Sequence, residues 1–127
     1  MTTTSPGEYD AYPRPAMEPR ESDVDPQVAA ALEPGEIVQA APRAIDAVLA
    51  VSDRRLIVAA QERVALSIHI EQLRRIQFDI ETRRPATLVI VPDEPRDEPQ
   101  VLAIPPTEIR AATQVLALVA ERLAAIS

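Results

Sequence analysis

The sequence predicts a mainly β fold: a small seven-stranded β-barrel or sandwich, partly open and closed by one C-terminal α-helix. Three observations carry this. Residues 64–70 and 73–80 alternate apolar and polar positions with period two, the mark of half-buried antiparallel strands. Residues 45–51 and 55–60 are nearly continuous apolar runs separated only by Ser52-Asp53-Arg54. At the C-terminus the period changes: Ile109, Ala112, Leu116, Val119, Leu123 and Ile126 are spaced by three and four, one stripe of a helix.

Taken in order, residues 1–25 read as a disordered tail. Pro6, Pro13, Pro15 and Pro19 interrupt any regular element, and acids dominate. Tyr9 and Tyr12 lie here as the chain's two tyrosines, in a YDAYPRP stretch that reads as a linker or a docking peptide. The folded domain spans residues 26–127. Asp25 is placed to cap a short helix with Pro26 at its first position, and Pro34-Gly35 stops it. Residues 36–41 form a first strand. In the nearly continuous apolar runs 45–51, broken only by Asp46, and 55–60, either both faces are covered or small alanines lie outside. In residues 64–70, Val64, Leu66, Ile68 and Ile70 face one way; Ala65, Ser67 and His69 face the other. In residues 73–80, Ile76, Phe78 and Ile80 point inward, and Arg75, Gln77 and Asp79 outward. Residues 86–91 and 100–104 complete the strands, with an acidic, Pro-broken loop at 93–99 between them. The helix begins at Pro106 or Thr107, with Glu108 suited to the positive end of its dipole.

Composition narrows the function classes. The 127 residues fit one domain, and with 2% aromatics and no Trp the core must be aliphatic. A net charge of −7 disfavours polyanion partners such as nucleic acid. All thirteen basic residues are Arg, a usage that GC-rich coding would produce and that selection for bidentate contacts would also favour, the latter with no other feature behind it. Without Cys there is no disulfide or thiolate metal site. The first ten residues lack a signal peptide's basic and apolar regions. No apolar run approaches the ~18 residues of a spanning helix. A soluble, cytoplasmic protein is expected.

Two segments carry a family resemblance. Leu32-Glu33-Pro34-Gly35-Glu36 resembles the L-x-P-G-E entry of bacterial PH-like domains, the pleckstrin-homology superfold. Val51-Ser52-Asp53-Arg54-Arg55-Leu56-Ile57 resembles their apolar–T–D–x–R–L–apolar signature, with Ser for Thr. Ile68-His69-Ile70 with Ile76 resembles a following I-P-L…I segment, with His for Pro. The resemblance covers about residues 27–127. It implies a partly open barrel capped by the helix, with no enzymatic activity and no cofactor. In eukaryotic relatives that bind phosphoinositides, basic residues line three loops. Here those loops offer Arg43, then Glu62 with Arg63, then four acids with Arg96. That rim is negative, so a phosphoinositide headgroup is disfavoured.

Ser67, His69 and Glu71 share one strand face, but i, i+2 side chains stand ~6.5–7 Å apart, beyond nucleophile–base reach. His69 reads as a solvent-facing residue. The acidic loop lacks the Gly and oxygen spacing of a calcium loop, so no metal site is expected. The arginine pairs at 54–55, 74–75 and 83–84 sit at strand ends, with Asp53, Glu71 and Asp79 as default ion-pair partners. The leading expectation is a non-catalytic PH-like module that binds protein, taking an extended peptide along a sheet edge beside the closing helix or associating with itself. The alternative is peripheral binding to anionic lipid through paired arginines. The candidate contact residues are Arg54, Arg74 and Arg75, with Arg43 and Arg63 on the loops.

Overall fold

The computed structural model describes residues 24–126. The expected tail lies outside the described residues, except for Val24 and Asp25. Asp25 caps helix α1 (Pro26–Ala31), accepting the Gln27 N–H at 2.8 Å, with Pro26 in the first turn. Val24 packs beside Val28 of that helix.

Seven strands and a C-terminal helix follow. Strands β1 (Val38–Ala40), β2 (Val48–Ser52), β3 (Arg55–Ala60) and β4 (Arg63–His69) make one antiparallel sheet in that order. Strands β5 (Leu73–Asp79), β6 (Ala86–Pro92) and β7 (Gln100–Ile104) make the second. A 3-10 turn at Pro106–Glu108 leads into α2 (Ile109–Ile126). The expected barrel is corrected: neither sheet closes. A 3-10 turn, Ile70–Gln72, interrupts the ladder between β4 and β5. Ile70 N–H donates to the Arg54 carbonyl at 3.0 Å, extending the β3–β4 ladder by one step, and a backbone bond from Ile45 N–H to the Ala103 carbonyl at 2.9 Å ties the β1–β2 loop to the second sheet.

The main core lies between the sheets and α2. Leu49, Val51, Leu56, Val58, Leu66 and Ile68 meet Leu88, Ile90, Leu102 and Ile104, and Ala112, Val115 and Val119 of α2 close over them. Each large aliphatic so buried is worth ~1.5–3 kcal/mol. The other face of the first sheet is also covered. Val28 of α1 is fully buried against Val38, Ala50, Ile57 and Ala59. This explains why β2 and β3 are apolar at almost every position: both faces are inside.

Four details depart from the strand reading. β1 is only three residues, because flanking Ile37 bonds the β2–β3 turn instead: its N–H donates to Asp53 Oδ1 at 3.3 Å and its carbonyl accepts Asp53 N–H at 3.1 Å. β2 starts at Val48, because Ala44 N–H donates to the Ala47 carbonyl at 2.8 Å in a turn, leaving Ile45 63% exposed. The β3–β4 register shifts between Val58 and Ala59, so Val58 faces Leu66 while Ala59 faces Val64. Ala65 is the extra residue of this bulge; it packs on the core, and Val64, expected inward, is exposed. Ile80, also expected inward, lies past the last β5–β6 pair, Asp79 with Thr87, and is 61% exposed.

Candidate functional site

The two segments that carry the family resemblance meet in space. Gly35, at φ +80°, turns the chain after α1 so that Glu36 points under the helix. There its carboxylate accepts from Ser52 Oγ (2.5 Å), Arg55 Nε (2.9 Å), Arg55 Nη2 (2.5 Å) and Glu33 N–H (2.9 Å). Ser52 Oγ in turn accepts the N–H groups of Arg54 (3.1 Å) and Arg55 (2.9 Å), closing the β2–β3 turn. The Arg55 guanidinium also donates to the Ala31 carbonyl at the end of α1 (2.6 Å) and to Ser67 Oγ on β4 (3.0 Å). Burial alone would raise the Glu36 carboxyl. The Arg55 guanidinium, Glu33 amide and Ser52 hydroxyl outweigh it and lower the carboxyl to about 2. Hydrogen bonding to Glu36 raises Arg55, against the opposing effect of its burial. At neutral pH the cluster holds an ion pair.

Arg55 therefore sits inside the molecule, half of a buried pair rather than of a basic surface cluster. Sequence reasoning missed it, although a signal existed. Arg55 shares its strand face with Ile57 and Ala59, the face that α1 covers.

The five candidate arginines do not converge. Arg54, Arg74 and Arg75 lie toward the β2–β3 turn, where the 3-10 turn joins the sheets. Arg43 and Arg63 lie at the other end of the first sheet, where the β1–β2 loop meets the β3–β4 turn. Arg54 is paired with Asp53 (3.2 Å) and Glu33 (3.5 Å), and Arg74 with Asp93 (3.6 Å). Arg43 is exposed, while its N–H donates to Glu108 Oε1 at 2.8 Å. Arg63 and Arg75 are exposed and have no acidic partner among the described residues. Of the expected default partners, Asp53 pairs with Arg54 as anticipated. Glu71 takes Arg122 of α2 at 3.1 Å, and Asp79 accepts from Gln77 at 2.9 Å.

Ser67, His69 and Glu71 are also turned to separate tasks. Ser67 Oγ accepts from Arg55, His69 N–H donates to Gln72 Oε1 at 2.9 Å, and Glu71 binds Arg122. Among the described residues, no group of three or more His, Asp or Glu is arranged to hold a metal ion, and no helix is long and apolar enough to cross a membrane.

The open feature of the second sheet is its β5 edge. Ala103 turns its carbonyl away from β6 toward Ile45. By antiparallel alternation, Thr87 and Val89 then face β5, and the N–H and C=O groups of Ile76 and Phe78 face outward. No strand pairs with this edge among the described residues. Comparisons with protein-family models, curated proteins and solved structures find no match to this chain.

Proposed function

We propose that the chain is a non-catalytic, PH-like interaction module that takes an extended segment of another protein, or of a second copy, along the β5 edge. The four-plus-three division of the strands and the single C-terminal helix support the PH-like reading, as do the two segments that meet at Glu36 and Arg55. The open edge of β5 carries the binding reading. It is seven residues long, and Ile76 and Phe78 offer main-chain donors and acceptors there. Main-chain pairing of this kind needs no special side chains.

The anionic-lipid alternative has less support. Arg54 and Arg74 already lie against acids, and Arg43 and Arg63 are at the other end of the sheet. Two measurements test the reading. Peptides selected from a display library should shift the amide resonances of Ile76 and Phe78; binders that map elsewhere, or no binders at all, would overturn it. In vesicle flotation, anionic liposomes should not retain the protein at physiological salt. Retention that disappears on replacing Arg54, Arg74 and Arg75 by Ala would put the lipid reading in its place.

A further inference from the structure

The described chain N-terminal to Gly35 is attached differently from everything after it. Helix α1 has six residues, too few to be stable alone, so it is helical because it is docked. Its docking rests on one fully buried side chain, Val28, with partial cover from Val24, Ala31 and Leu32. One side-chain hydrogen bond ties its end to the sheet, from Arg55 Nη2 to the Ala31 carbonyl at 2.6 Å. Immediately beyond it, Pro34-Gly35 makes a turn in which Gly35 has φ +80° and nothing within 4 Å of where a Cβ would stand. One residue later the chain is pinned: Glu36 is 8% exposed and bonded to Ser52 and Arg55. The boundary between a lightly held segment and a fixed one falls at Gly35.

Beneath α1 lies an apolar sheet face, Val38, Ala50, Ile57 and Ala59, separate from the main core. We propose that residues 24–33 form a strap that opens as a unit about Pro34-Gly35 while both sheets stay folded, uncovering that face. Opening breaks the Ala31 carbonyl bond, the Arg54–Glu33 ion pair and the bonds between Glu33 and Glu36, and withdraws Val28. It leaves the Glu36–Arg55 pair intact, so no buried charge is orphaned. The strap is thus a built-in cover over a second apolar surface, independent of the β5 edge.

The chain has no cysteine, so single thiols report opening cleanly. Ala59→Cys places a thiol under the strap, and Ala86→Cys places one in the main core. In the full-length protein, a thiol reagent should modify the first at least about tenfold faster than the second. Adding Val28→Ala, which removes two buried methyl groups, should speed modification at position 59 by about tenfold. Equal rates at the two sites, or no effect of Val28→Ala at position 59, would overturn the proposal. Should either cysteine variant fail to fold, hydrogen exchange of the unmodified chain decides. The Ala29 amide, bonded to the Asp25 carbonyl at 2.8 Å, should exchange through a smaller opening than the Ile90 amide. A common opening for both would refute the strap.

Discussion

Glu36 and Arg55, nineteen positions apart, meet through two hydrogen bonds of 2.5 and 2.9 Å, with the Glu36 side chain wholly excluded from solvent and that of Arg55 11% exposed. The pair joins the end of α1 to β2, β3 and β4. Removing one partner strands the other as a buried charge, so Arg55→Met and Glu36→Leu should each cost about 3–5 kcal/mol in denaturant unfolding. The double variant Glu36→Leu/Arg55→Met should lose less than either single change, because it removes both charges together. Strictly additive losses would show that the two residues act separately.

The same pair dictates an acid response. Glu36 is lowered from an ordinary 4.5 to about 2, so in acid the unfolded chain binds this proton before the folded one does. Its stabilising contribution is complete above about pH 5 and lost as pH falls toward 2, about 3 kcal/mol in all. Asp53 is lowered as well: its burial opposes this, but the Ile37 amide and Arg54 outweigh it, so its loss in acid has the same sign. Stability measured from pH 7 to pH 2.5 should fall more steeply for the native protein than for Glu36→Gln. Parallel curves would remove Glu36 as the cause.

Ser52 completes the cluster. Its hydroxyl donates to Glu36 and accepts two amides of the turn, so Ser52→Ala leaves three groups short of a partner. A loss of about 1–3 kcal/mol is expected. In a double-mutant cycle with Glu36→Gln, the two changes should couple rather than add.

What could be read in the sequence was local. The alternation at Leu66 and Ile68 and at Ile76 and Phe78, and the three-four spacing from Ile109 to Val119, each depend on neighbours along the chain, and those faces came out as expected. What was hidden depends on distant residues. A single inserted residue, Ala65, reverses the phase of β4 at Val64 without altering the apparent alternation. Whether two sheets close into a barrel is set by contacts such as Ile45 with Ala103, which no period reports. The Glu36–Arg55 contact was equally non-local. Each half was visible as part of a turn signature, and only the fold brings the halves together. The arginines failed as a group because strand-end position alone does not say which end of the sheet is shared.

The end of β5 gives a direct test of phase. Ile76 and Phe78 pack on the main core, whereas Ile80 is mostly exposed. Ile76→Ala should cost about 2 kcal/mol or more, and Ile80→Thr within about 0.5 kcal/mol of nothing. Equal losses in thermal or urea unfolding would place Ile80 in the core after all.

The β3–β4 turn should be improvable. Gln61 and Glu62 both have positive φ, 53° and 64°, between Ala60 and Arg63, which pair across the hairpin. Two central residues in the left-handed region make the kind of two-residue loop that Asn-Gly fits best. For a residue with a Cβ, that conformation costs roughly 1–2 kcal/mol. Both side chains are exposed, so replacing them removes little packing. Gln61→Asn with Glu62→Gly should raise stability by about 1 kcal/mol, after allowing for the extra freedom of glycine in the unfolded chain. Glu62→Pro should do the reverse, since proline holds φ near −65° and cannot adopt the turn. Thermal midpoints of the three proteins should therefore rank the Asn-Gly variant first and the Pro variant last. A Pro variant as stable as the native chain would mean the hairpin turns in another way.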